Sequence, residues 1–405
     1  MMDRQHAVLL HGSPIGVIHH RGDFARFSFL EDYWDRPGRP VLGLWFEDHP
    51  GLSPQAALRL PPWFSNLLPE GKLRTWIARD RRVAVDRELE LLLQVGHDLP
   101  GAVEVIADAG NRPHEDWSVT DAYFAEVTED RPWKFSLAGV GLKFSMLRAE
   151  DRLTIPASFE NGDWIVKMPA ADHPGVPRNE FAMMSLAKQV GIDTPRILLI
   201  HREELPALPG AVWPGKEDLA YAVERFDRSA GGTNRIHIED FAQVREFYPE
   251  QKYDGSFETV AALAFRGHDE AALIEFVRRL VLNVLVGNGD AHLKNWSLIY
   301  RDPGSPTLSP VYDVVSTEGY IGEGEDLGMK FARSRSLDSV NLASFDRLAR
   351  KLDVDLGLSE VARATAELVA EHWEGTVSEP ELDGVRQSIS SHIEPRLRNL
   401  GVQGV

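Results

Sequence analysis

The sequence predicts an α+β fold with two lobes, a strand-rich one followed by a helical one, and a smaller β/α region in front of both. Apolar and polar residues alternate up to about residue 50, as in strands, and helical spacing follows from about 54 to 98. Short strand-like runs recur between 134 and 226. Beyond 237 helical spacing dominates, so the last lobe is expected to be all-helical.

The domain boundaries follow from breaks in these patterns. A chain of 405 residues has room for two or three domains. The polar stretch 109–116 separates the first region from the second, and the strand-like run that ends at Phe226 closes the second. We therefore expect domains at residues 1–108, 109–226 and 227–405.

Several elements can be placed in order. Strands are expected at 134–136, 143–147, 153–156, 164–168, 196–201 and 219–226. Helices are expected at 178–190, which ends before Gly191, and at 271–286 and 359–373. The run from 309 to 316 is apolar and strand-like except for one acid.

The composition excludes several classes of function. The chain has 44 Lys and Arg against 62 Asp and Glu, a formal charge of -18, which disfavours direct contact with duplex DNA. It has no cysteine, so disulfides, thiol catalysis and Cys-ligated zinc are excluded. No cationic region followed by a long apolar stretch opens the chain, and no run is long enough to span a membrane. We expect a cytoplasmic protein that does not contact the membrane.

The most informative segment runs from Gly287 to Trp296, between an apolar helix and an apolar strand. It places Asp290 five positions before Asn295, the spacing of a kinase catalytic loop, in which Asp meets the acceptor hydroxyl and Asn binds Mg²⁺. Lys294 or His292 could meet phosphate oxygens. A surface turn is the alternative, since Gly-Asn-Gly-Asp favours turns.

A second acid, Asp313, stands alone in the apolar 309–316 run. Burial of a carboxylate is costly unless a cation compensates it, and Mg²⁺ between the phosphates of ATP would do so. The alternative is an aspartate that caps a loop after Pro310.

Lys167 ends the apolar strand 164–168, as the phosphate-gripping lysine of kinases does. Glu180 opens the helix that follows and is a candidate ion-pair partner for this lysine. A surface lysine with a buried stem is the alternative.

Two further segments complete the pattern. Gly139 and Gly141 precede Lys143 between two strands, so their backbone N–H groups could approach phosphates, although such glycines are also common in hairpins. The main chain at Glu224, Arg225 and Phe226 follows a strand and could bind adenine as a hinge, or be a strand end with charged neighbours. The order of all these segments along the chain is that of protein-kinase-like folds.

With these residues in place, the chain resembles the HipA family of serine/threonine kinase toxins over most of its length. The similarity lies in residues 60–71 and 95–103, and, further along, in 223–228, 235–241, 287–297 and 310–317. It implies a kinase fold preceded by an extra β/α subdomain, with ATP and Mg²⁺ as cofactors.

The resemblance also implies roles for individual residues. Asp290 would be the catalytic base, Asn295 and Asp313 the Mg²⁺ ligands, and Ser136 the autophosphorylated serine. Together these residues would contact ATP: Ala138, Gly139, Val140, Gly141, Lys143, Lys167, Glu224, Arg225, Phe226, His292, Asn295, Tyr312 and Asp313. Phosphate on Ser136 would add negative charge where the ATP phosphates belong, and the family's loop is ejected in that state. Gly141 stands where the family usually has Gln, and the added flexibility could weaken the contact with the nucleotide or alter how the loop is ejected.

The implied partners are a small helix-turn-helix antitoxin of the HipB type, operator DNA bound through that antitoxin, and a protein substrate of the aminoacyl-tRNA synthetase kind. Phosphorylation of that substrate would cause growth arrest and persistence. Two rival functions stay open: a small-molecule phosphotransferase with the same Asp-x₄-Asn loop, and a catalytically silent ATP-binding corepressor that acts with the antitoxin.

Overall fold

The computed structural model describes residues 4–107, 142–149, 152–154, 162–208, 212–214, 216–232, 234–318, 320, 326–378 and 382–403. None of the helices in these ranges is long and apolar enough to cross a membrane.

The N-terminal region is an antiparallel sheet backed by four short helices. Its strands are β1 (Arg4–Leu10), β2 (Ser13–Arg21), β3 (Phe24–Phe29), β4 (Gln55–Ala57) and β5 (Val103–Ile106), in the order β4-β3-β2-β1-β5. The helices are α1 (Leu44–Asp48), α2 (Pro62–Ser65), α3 (Gly71–Arg81) and α4 (Glu88–Val95). Period-2 patterning puts Val8, Ile18 and Phe27 into the core with Trp63 and Phe64 of α2.

A second five-stranded sheet follows, in the order β7-β6-β8-β10-β9. Its strands are β6 (Lys143–Ala149), β7 (Arg152–Thr154), β8 (Trp164–Lys167), β9 (Ile197–His201) and β10 (Leu219–Glu224), and α5 (Val176–Gln189) packs against β9 and β10. The first and second sheets share one hydrophobic core, in which the rings of Trp76 and Phe144 meet at 5.7 Å.

The C-terminal lobe is mostly helical. Its helices are α6 (Phe241–Val244), α7 (Phe257–Ala264), α8 (Glu270–Leu285), α9 (Leu342–Leu352), α10 (Leu358–Thr376) and α11 (Asp383–Asn399). Helix α8 is its centre: the Asp269 side chain caps the first turn by accepting from the Ala272 N–H, and the last turns are buried on every side.

The expectation of an α+β fold with two lobes and an N-terminal β/α region is confirmed, but the expectation of an all-helical last lobe is wrong. It also holds β11 (His237–Asp240), β12 (Ser297–Asp302) and β13 (Ser305–Leu308) in one sheet, and β14 (Asp326–Phe331) and β15 (Ser334–Ser336) in another. These strands are only three to six residues long. Runs of that length between segments with helical spacing are too short to be recognised as strands from the sequence.

The 309–316 run is not a strand either. Residues 309–317 have no regular secondary structure, and Asp313 has a positive φ of 57°. A non-glycine residue in that region is costly and persists only where the surroundings hold it, which is common at functional sites. The chain therefore turns at Asp313 instead of continuing along a sheet.

A buried charge network joins the N-terminal region to the linker after β10. Arg225 and Arg228 both contact Asp98, at 2.7 and 3.2 Å, and both contact Asp227 at 2.9 Å. Burial alone would raise the pKa of the Asp98 carboxyl, but the two guanidinium groups outweigh burial and lower it. The linker is thus held against the turn at 98–101.

Substitution of Asp98 by Asn should lower the free energy of unfolding by about 3 kcal/mol or more, because two buried guanidinium groups lose a counter-charge. The matched control is Asp32→Asn, which breaks an exposed pair with Arg36 and should cost less than about 1 kcal/mol. Chemical denaturation measures both, and equal midpoints for wild type and Asp98→Asn would contradict the prediction.

Candidate active site

A cavity of about 330 Å³ lies between the second sheet, the linker after β10 and the loop that follows α8. A cavity of this size suits a small ligand. Its walls combine apolar side chains such as Leu142, Ile165 and Val223 with the charged Lys167, Asp290 and Asp313. Four segments that are far apart in sequence therefore meet at one place.

The loop after α8 is shaped by its own polar side chains. The Asn288 amide donates to Asn283 Oδ1 at 2.7 Å, and the Asn288 side-chain oxygen accepts from the Asp290 N–H at 3.1 Å. The Gly289 N–H donates to the Thr317 hydroxyl at 2.8 Å. This turn places the Asp290 carboxylate at the cavity wall, where half of its side chain is exposed.

Asn295 also faces the cavity, and its orientation is defined. Its amide N–H₂ donates to the Asp290 carbonyl oxygen at 2.9 Å. The amide oxygen therefore points away from that carbonyl and remains available as an acceptor or ligand. Asn295 and Asp313 both line the cavity.

Lys167 is held between two carboxylates from different parts of the chain. Its Nζ lies 2.5 Å from Glu180 Oε1 of α5 and also donates to Asp313 Oδ1. Burial would lower the pKa of the Lys167 ammonium, but Asp313 and Glu180 outweigh burial and raise it. Burial likewise acts to raise the pKa of Asp313, yet the charges of Lys167 and Lys143 bring it to about 2. Both groups are charged at neutral pH.

Lys143 lies directly across from Lys167, because β6 and β8 pair with these two residues in register. Its side chain is buried at the cavity wall. Burial lowers its pKa to about 8, although Asp313 partly offsets this effect. Two cationic side chains on neighbouring strands thus face the same part of the cavity.

The linker residues contribute in different ways. The ring of Phe226 lies 5.7 Å from the ring of Tyr312, and both residues line the cavity. Tyr312 donates to the Lys294 carbonyl oxygen at 2.9 Å, which fixes its ring. Glu224 and Arg225 also line the cavity, but the Arg225 side chain turns into the buried network with Asp98. Arg225 can therefore serve the cavity only through its main chain.

His292 is buried beside the cavity, and its ring centroid lies 5.1 Å from that of Tyr253 in an edge-to-face arrangement. Burial lowers its pKa to about 4, so the ring is neutral at neutral pH. Its Nδ1 is buried and makes no hydrogen bond with any residue that the structure describes. A buried polar atom without a partner at a cavity wall is costly in the empty site and can be satisfied by a bound ligand.

The remaining predicted site residues, Ser136 and the segment 138–141, lie outside the described residues.

Comparisons with known proteins agree with this architecture. A model described as the HipA N-terminal domain matches residues 6–106, and one described as the HipA-like C-terminal domain matches residues 135–376. The second model alone spans more than half of the chain. The chain belongs to the HipA family.

Relatives of the family extend over nearly the whole chain. The candidate kinase Y4dM of Sinorhizobium fredii is 39% identical, with 95% of each chain covered. The serine/threonine-protein kinase toxin HipA of Shewanella oneidensis is 25% identical, with 90% of this chain and 87% of that protein covered. The chain is thus a kinase of the HipA family.

A solved structure confirms the fold. HipA in the complex of the Shewanella oneidensis HipA–HipB system with its operator DNA has a TM-score of 0.73 to this chain, at 21% identity, and covers 98% of this chain and 97% of that one. Both chains therefore share one fold, from the N-terminal sheet to the helical lobe.

Two residues of this HipA-family site were not found from the sequence: Glu70 in the cavity wall, and Tyr253, which contacts Asp290. The Tyr253 hydroxyl donates to Asp290 Oδ1, and Glu70 of the N-terminal region contacts both Lys252 and Lys294. Tyr253 stands in a turn-rich stretch without periodicity, and Glu70 in the connector before α3. Local patterns carry no signal for either contact, because the partners are far apart in sequence.

Substitution of Tyr253 by Phe should slow phosphoryl transfer about tenfold, because one carboxylate oxygen of Asp290 loses the hydroxyl that orients it. Affinity for ATP should stay within about twofold, since the packing of the ring is retained. Initial rates across ATP concentrations separate the two quantities. A wild-type rate in Tyr253→Phe would show that Asp290 is oriented by other groups.

Proposed function

We propose that the chain is the toxin kinase of a toxin–antitoxin module and transfers the γ-phosphate of ATP to a serine of a protein and to its own Ser136. The observation that carries the proposal is the convergence of Lys167, Asp290, Asn295 and Asp313 on one cavity, in kinase order along the chain. They come from a strand, the loop after α8 and the segment after β13, which are far apart in sequence, so a surface turn or an isolated lysine does not account for the set.

The nucleotide would bind with its base at the linker and its phosphates at the lysines. Phe226 and Tyr312, with Leu142 and Ile165, offer flat and apolar walls for an adenine ring. Main-chain groups at 224–226 would supply its hydrogen bonds. Lys143 and Lys167 would then face the phosphate end.

The donor set at the phosphate end suits Mg²⁺. Asn295 offers an amide oxygen and Asp313 a carboxylate kept ionised by its neighbours, and both are the hard oxygen ligands that this ion prefers. The ion, when bound, supplies charge neutralisation for the phosphates. Because two protein ligands suffice when phosphate oxygens and water complete the shell, this pair fits the role.

Catalysis by the chain's own residues is chiefly positioning. The carboxylate of Asp290 would accept or orient the proton of the acceptor serine hydroxyl, while Tyr253 holds the other carboxylate oxygen. Lys167, fixed by Glu180, would hold the phosphates in line with that hydroxyl. Neutral His292 would offer its unpartnered Nδ1 to the nucleotide.

The partner and substrate belong to the same proposal. The HipA of known structure is bound to HipB and operator DNA. A chain of charge -18 would leave the phosphate contacts of DNA to a small, basic helix-turn-helix antitoxin of the HipB type. The protein substrate would be an aminoacyl-tRNA synthetase, and its phosphorylation would arrest growth from within the cytoplasm.

The direct test is incubation of phosphatase-treated protein with γ-labelled ATP and Mg²⁺, for wild type beside Asp290→Asn, followed by phosphosite mapping. We expect label on Ser136 in the wild type, and a loss of about 10²-fold or more in the variant with ATP binding retained.

Equal labelling of both proteins would contradict the role of Asp290. Absence of label in a wild type that binds ATP and has an unphosphorylated intact mass would instead identify a silent ATP-binding corepressor.

A further inference from the structure

The N-terminal region contributes directly to the walls of the active-site cavity. Asn66, Leu67 and Glu70, from the connector between α2 and α3, line it together with Asp290 and Asn295. Glu70 thus places a mostly buried carboxylate of the N-terminal region in the wall of the cavity.

Lys294, the neighbour of Asn295 in the catalytic loop, contacts two residues of this connector. Its ammonium lies 3.0 Å from the Asn66 carbonyl oxygen, 3.1 Å from Asn66 Oδ1 and 3.0 Å from Glu70 Oε1. Two of the three N–H donors of this ammonium are used by the Asn66 oxygens, and the Glu70 carboxylate supplies the counter-charge at ion-pair distance. Only 5% of the Lys294 side chain is exposed, so it is an anchor of the loop instead of a phosphate ligand.

The second carboxylate oxygen of Glu70 holds another lysine. Glu70 Oε2 accepts from Lys252 Nζ at 3.2 Å, and the Lys252 carbonyl oxygen accepts from the N–H of Leu293 at 3.1 Å. Lys252 also directly precedes Tyr253, whose hydroxyl contacts Asp290. One carboxylate therefore ties down both the loop that carries Asp290 and the segment that orients it.

The local charges keep Glu70 ionised. Burial would raise its pKa, but Lys294 and Lys252 outweigh burial and lower it. Asp240 lies 3.8 Å from Lys294 and completes the cluster. Two lysines thus face two carboxylates in a largely buried cluster. Loss of one carboxylate would leave a buried ammonium without its counter-charge.

We propose that Glu70 is a positioning residue of the kinase: through Lys294 and Lys252 it makes the N-terminal region hold the catalytic loop in its working geometry. The proposal rests on the phosphoryl transfer proposed above. It assigns the N-terminal region a part in catalysis in addition to any contact with a partner. It also distinguishes Glu70 from Lys167, because the ion pairs of Glu70 are with Lys252 and Lys294.

The expected signature is a split between rate and affinity. The Glu70→Gln variant should lose about 10- to 100-fold in the maximal rate of phosphoryl transfer, because a displaced loop misplaces Asp290. The ATP concentration at half-maximal rate should stay within about twofold. Glu70→Asp keeps the charge but not the reach to both lysines, and its rate should be intermediate.

The experiment measures label incorporation from γ-labelled ATP and Mg²⁺ into the phosphatase-treated full-length chain, over a series of ATP concentrations. Variants Glu70→Gln, Glu70→Asp, Lys294→Met and the double variant Glu70→Gln/Lys294→Met are compared. Because both residues act as one unit, the double variant should be no slower than the slower single variant. Amide hydrogen exchange of segment 288–296, which requires no activity, should be faster in Glu70→Gln than in wild type.

The matched control is Glu104→Gln. Glu104 of β5 forms a similarly buried ion pair, 3.2 Å from Arg235, that also joins the N-terminal region to the later chain but lies away from the cavity. This variant should keep the wild-type rate. The thermal midpoint of Glu104→Gln measures how much stability is lost with such an ion pair. If Glu70→Gln does not fold, the rate of Glu70→Asp provides the test.

Several results would overturn the proposal. The first is a wild-type maximal rate in Glu70→Gln, with or without a higher half-saturating ATP concentration. The second is a rate loss in Glu104→Gln equal to that in Glu70→Gln. The third is additive rate losses in the double variant. Absence of transfer by the wild type would instead refute the proposed function, while the exchange of segment 288–296 would still report whether Glu70 holds the loop.

Discussion

The contact of Lys167 with both Glu180 and Asp313 is the interaction on which the site depends. It joins a strand of the second sheet, helix α5 and the irregular segment after β13, three elements that no local pattern links. Burial of these ionisable groups is costly, and it raises the pKa of Glu180 to about 7, although the charge of Lys167 partly offsets this effect. The same contact keeps Asp313 ionised and Lys167 protonated, as a metal ligand and a phosphate ligand must be.

The N-terminal region contacts the cavity wall in two places, at the linker after β10 and at the loop after α8. On one side Asp98 holds Arg225 and Arg228, which sets the course of the linker where the nucleotide base would lie. On the other side Asn66 and Glu70 hold Lys294 of the catalytic loop. Both contacts are buried ion pairs, which require a specific geometry. Removal of one partner leaves an uncompensated buried charge and is strongly destabilising.

Features that depend on local sequence were predictable. The apolar helix α8, the Asp-x₄-Asn loop, the strand that ends at Lys167 and the helix that carries Glu180 each leave a local pattern of burial or spacing. The resemblance to HipA added the roles of these residues, which remain predictions until they are tested.

Features that depend on distant contacts were not predictable. A left-handed turn at Asp313 stands where a strand was expected. Asp313 contacts Lys167, which lies 146 residues earlier, and the apolar run around Asp313 carries no signal for that contact. The Arg225 side chain points away from the cavity, toward a carboxylate 127 residues earlier. Tyr253 reaches the catalytic loop across 37 residues of sequence, and Glu70 reaches Lys252 across 182, so only the fold reveals these contacts.

The most direct measurement for the central claim is the affinity of the chain for ATP with Mg²⁺, by titration calorimetry, in wild type and Lys167→Met. If the phosphates bind where Lys167, Glu180 and Asp313 meet, the substitution should weaken binding about tenfold or more while the protein stays folded. Equal affinity in a folded Lys167→Met variant would mean that the nucleotide does not bind at this ion cluster, and the assignment of the cavity as the kinase site would fail.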